Sequence, residues 1–172
     1  MWKGIFLEGN LNETQGLDIQ KCNVLDVTPV IADAEYGVFA SKDSRLFIAN
    51  STFDKNFHHV WVENYRFALS QRIFGNTFEK SGSLLDIDGE SPLDPMHGVY
   101  MKDVPQTEKL ENNNFYNCHN GIYAEYSGFK TSGNTMTDVY NGIYSLDQQG
   151  EVHISDNDIE DCHYGVRIQK TN

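Results

Sequence analysis

The stretch that decides the fold reads Asn113-Asn114-Phe115-Tyr116-Asn117-Cys118-His119-Asn120-Gly121-Ile122-Tyr123-Ala124. It recurs as Asn134-Thr135-Met136 leading to Gly142-Ile143-Tyr144-Ser145, and as Asn157-Asp158-Ile159 leading to Gly165-Val166-Arg167-Ile168. In each copy an apolar residue stands two after the Asn and seven before the Ile or Val. A fixed internal period outranks local propensity, because it defines a unit that stacks on copies of itself.

The same frame runs toward the N-terminus. Phe53 precedes Val60 by the same spacing, with His59 in the glycine slot, and Ile31 precedes Val38, with Gly37 in that slot. Asn76-Thr77-Phe78 opens another copy whose Gly98-Val99-Tyr100-Met101 comes late, and Gly4-Ile5-Phe6-Leu7 supplies the strand once more. The glycine slots at 4, 37, 59, 98, 121, 142 and 165 are 33, 22, 39, 23, 21 and 23 residues apart. A period in the low twenties, built from short alternating segments, predicts an all-β solenoid of parallel strands in about seven coils. Residues 1–172 form one domain, with a loop insertion at about 79–97 bulging from one corner. No segment carries apolar residues at helical spacing over three turns, and Gly and Asn recur too often for helix interiors.

Alternation along each strand assigns the core. One inward column reads Ile5, Val38, Val60, Val99, Ile122, Ile143, Val166, and a second reads Ile31, Phe53, Phe78, Phe115, Met136, Ile159. Asn76, Asn113, Asn134 and Asn157 share a corner, where an Asn is expected to hold a left-handed turn and bond its neighbours along the axis. Ser51 and Pro29 interrupt that ladder. Cys118 and Cys162 share a slot with Val139 between them, roughly 10 Å apart at about 4.8 Å per rung, too far for a disulfide. They and Cys22 read as structural thiols.

The residue after each inward Ile or Val points outward, and that slot reads Phe6, Phe39, Trp61, Tyr100, Tyr123, Tyr144, Arg167. Charged residues usually hold such faces, so an aromatic stripe stands out. Glu8, Glu63 and Glu125 lie two residues beyond Phe6, Trp61 and Tyr123. Phe39, Trp61, Tyr100, Tyr123 and Tyr144, with Glu63 and Glu125, are the candidate ligand-binding set. Sugar rings stack on aromatic faces while carboxylates accept their hydroxyls. The alternative is that stacked rings brace adjacent strands beneath a loop, or form a protein interface. His58 and His59 are adjacent on a strand and face opposite sides. His119 and His163 sit two coils apart with Tyr140 between, so neither pair reads as a metal site.

A net charge of −12 disfavours nucleic acid and anionic membrane surfaces. No apolar run approaches the length of a membrane span, so no membrane insertion is expected. No nucleophilic triad or phosphate loop is legible, and no catalytic residue is assigned.

The copies of Asn-x-[Phe/Met/Ile] followed by Gly-[Ile/Val] resemble the right-handed parallel β-helix repeat of the pectin-lyase-like superfamily. The opening Met1-Trp2-Lys3-Gly4-Ile5-Phe6-Leu7-Glu8-Gly9-Asn10, with Val30-Ile31-Ala32-Asp33-Ala34-Glu35-Tyr36-Gly37-Val38, resembles β-helix regions of large secreted proteins of type IX secreting bacteria. That resemblance implies an extracellular or cell-surface module with neighbouring domains in a longer chain, and a fragment without its caps. Its expected partner is a polysaccharide or cell-surface glycan. Some relatives on this fold are polysaccharide lyases or glycoside hydrolases acting on acidic polysaccharide, which is the alternative function. Their galacturonidase motifs are not found here; Arg167-Ile168-Gln169-Lys170 is the nearest approach. No cofactor is expected, and Asp86, Asp88, Glu90 and Asp94, read as a solvated acidic turn, are where a calcium ion would sit if one bound.

Overall fold

Each coil turns through three corners, and a single left-handed residue makes most of them. In the computed structural model, which describes residues 2–8, 16–20, 28–42, 44–65, 72–82, 96–105 and 108–171, Asp33, Lys55, Asn117, Asp138 and Asp161 hold one corner at φ between 53° and 58°. Asn50, Gly75, Asn112, Gly133 and Asp156 hold the second, and Lys42, Asn64, Asp103, Tyr126 and Asp147 the third. Gly lacks the Cβ that clashes in this region, and Asn and Asp tolerate it best among the others. The frequent Asn, Asp and Gly are therefore a corner signal.

Strand β1 (Trp2–Glu8) opens the chain, and triplets follow, one per coil. They are β2 (Gly16–Gln20), β3 (Val30–Ala32) and β4 (Ala34–Ser41), then β5 (Arg45–Ala49), β6 (Thr52–Asp54) and β7 (His58–Glu63). Next come β8 (Arg72–Phe74), β9 (Thr77–Glu79) and β10 (His97–Lys102), then β11 (Glu108–Glu111), β12 (Asn114–Tyr116) and β13 (Asn120–Glu125). The last are β14 (Phe129–Ser132), β15 (Thr135–Thr137) and β16 (Asn141–Leu146), then β17 (Val152–Ser155), β18 (Asp158–Glu160) and β19 (Tyr164–Gln169). They stack as three parallel sheets, ordered β1-β4-β7-β10-β13-β16-β19, β2-β5-β8-β11-β14-β17 and β3-β6-β9-β12-β15-β18. The first sheet thus has seven rungs and the other two six each.

Both inward columns are in register. Val38, Val60, Val99, Ile122 and Ile143, with Phe53, Phe78, Phe115 and Met136, are wholly buried. Val166, on the last rung, is exposed. Cys118 and Val139 are buried in one further column, and Cys162 is half-buried. Cys22 lies outside the described residues.

The asparagine ladder is present, with one correction. Asn113 Nδ2 donates to Asn134 Oδ1 at 3.0 Å, Asn134 Nδ2 to Asn157 Oδ1 at 2.7 Å, and Asn76 Nδ2 to Asn113 Oδ1 at 3.0 Å. Each Oδ1 also accepts the backbone N–H of the preceding coil, down to the Ser51 amide on Asn76. The left-handed turn, however, belongs to the residue before each Asn: Gly75, Asn112, Gly133 and Asp156. That leaves the ladder side chain aimed inward, where its four positions are buried or half-buried.

The glycine slots face inward against the next coil. A Cβ on Gly121 would stand 2.8 Å from the Gly142 carbonyl oxygen, and one on Gly98 would stand 2.4 Å from the Phe115 ring. Gly4 departs from that reading. It pairs with Tyr36, because the register slips between Gly4 and Ile5, and its φ of 112° absorbs the missing residue. Within the two long intervals, residues 9–15, 21–27, 66–71 and 83–95 lie outside the described residues. Most of the proposed 79–97 loop, with Asp86 and Asp88, lies outside the described residues.

Candidate functional site

The outward face of the seven-stranded sheet is a wall of rings. Register sets Phe6, Phe39, Trp61, Tyr100, Tyr123, Tyr144 and Arg167 on successive rungs, as the alternation predicts. Ring centroids along the column lie 5.4, 6.3, 3.9, 5.2 and 5.0 Å apart, and the Arg167 guanidinium closes it 4.8 Å from the Tyr144 centroid. The planes of Phe39 and Trp61 are inclined by 21° and those of Tyr123 and Tyr144 by 22°. In those pairs each ring presents its face to the other and its edge toward solvent. Tyr100 is buried, Phe39, Trp61, Tyr123 and Tyr144 are half-buried, and Phe6 is exposed.

A second outward column lies beside it, three residues earlier on each strand from β4 on, and sequence reasoning missed it. Its members are Tyr36, His58, His97, Asn120, Asn141 and Tyr164. His58 stacks on Tyr36 at 5.2 Å and on His97 at 5.1 Å. Cross-contacts knit the columns together: Tyr36 meets Trp61 edge-on at 5.6 Å, His58 meets Trp61 at 4.8 Å, and His97 lies 5.1 Å from both Tyr100 and Tyr123. Beyond His97 the column turns to amides. Asn120 Nδ2 donates to His97 Nδ1 at 2.9 Å, and Asn141 Nδ2 donates to Asn120 Oδ1 at 2.6 Å. The signal was present in the sequence as aromatic or amide residues two before each inward Val or Ile. The glycine between drew the reading toward the slot instead.

The acids reach the rings in an unexpected pattern. Glu63 Oε2 accepts from Trp61 Nε1 at 2.9 Å, and its Oε1 accepts from Asn64 Nδ2 at 3.1 Å. Glu125 Oε2 accepts the hydroxyl of Tyr100, one coil back, at 2.8 Å, in place of its own strand's Tyr123. Glu8 pairs with Lys42 at 2.8 Å. The Tyr144 hydroxyl donates to Gln169 Oε1, which also takes an N–H of Arg167, each at 3.0 Å. Glu63 and Glu125 hold rings in place, and Glu8 does not.

Burial sets the titration of the wall. Desolvation, then the hydrogen bond and charge of Glu125, raise the Tyr100 phenol. Burial, then Glu125, raises Tyr123, and burial, then Glu35 and Glu63, raises Tyr36. Burial also lowers His58 to about 4 and His97 to about 3, with His58 adding to the second. His97 Nδ1 faces the Asn120 amide donor, so the neutral ring carries its proton on Nε2.

The expected split of His58 and His59 is observed, for His59 points into the core. It is fully buried, bonded by Nδ1 to Asn56 Nδ2 at 3.2 Å, and lowered to about 3 by burial. Asn56 occupies the slot of Cys118 and Val139, and its Oδ1 accepts Ala34 N–H while its Nδ2 donates to the Ile31 carbonyl. This repeats the ladder's clasp at a second corner. His119, Tyr140 and His163 stack on the surface at 4.8 and 4.7 Å.

Three parallel sheets wound into one solenoid, with like residues stacked rung on rung, define the class of parallel β-solenoid proteins. The family described as the right handed beta helix region matches residues 3–172, and the chain belongs to it. No curated protein and no solved structure gives a match.

Proposed function

We propose that this chain is a non-catalytic structural and adhesive module of a secreted or cell-surface protein, akin to the pectin-lyase-like β-helices, with its aromatic wall acting first as a brace. One observation carries the reading: the wall satisfies itself. Its rings lie against one another, and the donors of Trp61, Tyr100 and Tyr144 end on Glu63, Glu125 and Gln169. Carboxylates already serving as ring supports are poorly placed to shuttle protons. Stacked cross-strand rings add about 0.5–1 kcal/mol per pair, so a column of this length stiffens a solenoid that has only neighbouring coils to lean on.

The adhesive part rests on the half-exposed Phe39, Trp61, Tyr123 and Tyr144, whose edges line the surface, and on the exposed Phe6. A neutral glycan lying along the column meets ring edges and polar tips. Trp61→Ala with Tyr123→Ala tests both halves: thermal unfolding is expected to fall by several degrees, and glycan-array binding to drop with it. Unchanged unfolding in that variant sinks the brace. Incubation with polyuronate and calcium is expected to give no unsaturated product; its appearance would return the chain to the lyases.

A further inference from the structure

The second sheet carries an outward column of a different kind. Register places Phe47, Arg72, Lys109, Lys130 and His153 on successive rungs of β5, β8, β11, β14 and β17. The residues that follow them, Ile48, Ile73, Leu110, Thr131 and Ile154, are buried or half-buried, while Arg72, Lys109, Lys130 and His153 are exposed. Three rung intervals at about 4.8 Å make a line of roughly 14 Å. The protein as a whole carries −12, yet on this strip basic residues succeed one another without interruption.

Like charges opposite each other on adjacent strands repel, and what the fold returns is modest: the Arg72 guanidinium lies 4.5 Å from the Phe74 ring centroid. Counter-charges are few. Glu111, its side chain 28% exposed, lies 3.1 Å from Arg72, and Glu151, 66% exposed, lies 3.8 Å from Lys130. The second pair, exposed on both sides, contributes little and is readily exchanged. Lys109, between them, has no ion-pair partner among the described residues. Ser132 and Ser155 stand two positions beyond Lys130 and His153, where a hydroxylated ligand finds hydrogen-bonding partners.

We infer that the Arg72–Lys109–Lys130–His153 column is a docking rail for a linear acidic polysaccharide, whose carboxylate or sulfate groups recur along one chain. The rail is one side chain wide and flanked by Glu111 and Glu151, on a body of strong negative charge. Such a strip suits a single thread of spaced anions and disfavours the dense charge of a nucleic-acid duplex. This site lies on another sheet from the aromatic wall and does not depend on its role.

Titration of the intact chain with polygalacturonate and with a heparin-type sulfated glycan, at low salt and again at 0.2 M, tests the rail. Binding to at least one is expected, and which one binds distinguishes carboxylate from sulfate. The logarithm of affinity should fall against that of salt with a slope of about −2 to −3, near one counterion per cation displaced. Arg72→Ala/Lys109→Ala/Lys130→Ala should bind at least tenfold more weakly at an unchanged melting temperature, and Lys109→Glu alone should weaken binding several-fold should the triple variant fold poorly. Trp61→Ala/Tyr123→Ala should bind these polyanions as the parent does. Failure to bind either polyanion overturns the inference, as does full binding by the Lys109→Glu chain. Equal or tighter binding of a single-stranded oligonucleotide overturns it in favour of non-specific charge attraction.

Discussion

The solenoid carries two outward columns of like residues at one rung spacing, and they behave in opposite ways. On the first sheet, rings stacked at 3.9 to 6.3 Å satisfy one another and hand their polar tips to Glu63, Glu125 and Gln169. On the second, Arg72, Lys109 and Lys130 repel one another from rung to rung, and only flanking groups such as Glu111 and Glu151 offset it. Stacking rewards identity when the side chain is an aromatic ring and penalises it when the side chain is an ion. A column that supports itself is explained by the fold; one that opposes itself calls for something outside it.

The strongest way to break the contrast is to charge the wall. An imidazole takes its proton near pH 6.5 in an unfolded chain, whereas His58 is held to about 4 and both His59 and His97 to about 3, chiefly by burial. Between pH 6.5 and 4 the unfolded chain therefore binds more protons than the folded one. Stability is complete above 6.5 and drains away as pH falls through that window. Protonated, His58 and His97 would be two buried cations with ring centres 5.1 Å apart, each with little access to solvent. Urea midpoints should fall steadily from pH 7 to 4.5, and His97→Asn, matching Asn120 and Asn141 on the same column, should flatten the curve. A midpoint that holds constant over that range would contradict the account.

Cutting the wall comes next in size. Tyr100→Ala removes a buried ring that touches Trp61, His97 and Tyr123, and should lower the unfolding free energy by about 3 kcal/mol. Denaturant titration measures it, and a loss below about 1 kcal/mol would mean the wall is ornamental. Tyr100→Phe keeps the ring and deletes only the bond to Glu125. It should lose about 1 kcal/mol, and Glu125→Gln, which can still accept, should lose less. Smallest of all, Lys109→Ala should change stability by no more than about 0.5 kcal/mol, with a gain as acceptable as a loss. A large loss there would show that the cation column supports the fold and would erase the contrast.

Much of this molecule was legible as text. The spacing from Phe115 to Ile122 and its copies fixed both inward columns and the ring column rung by rung, because a strand offers only two faces and the repeat says which is which. What escaped depended on contacts across coils. Nothing in Glu125 says that it takes the hydroxyl of Tyr100 instead of Tyr123, since that choice lies in side-chain reach between rungs. Asn113 announces the ladder, but its neighbour Asn112 takes the left-handed turn, and a run of three asparagines hides which does what. The basic column had a signature after all. Arg72, Lys109, Lys130 and His153 each stand four residues before a ladder Asn, at 76, 113, 134 and 157. Intervals of uneven length kept that pattern from view.

The one-residue corners bear on how the protein's charge should be understood. Asp33, Asp103, Asp138, Asp147, Asp156 and Asp161 all occupy left-handed positions, where the choice of residue is narrow and aspartate is among the few that fit. Six of the chain's 25 acidic residues thus answer to bending the backbone, as Lys42 and Lys55 do with the opposite charge. That share of the acidity records geometry, not appetite for a partner. A solenoid of this kind can be globally acidic and still keep a local seat for an anion, because its corners and its strand faces draw on different residues for different reasons.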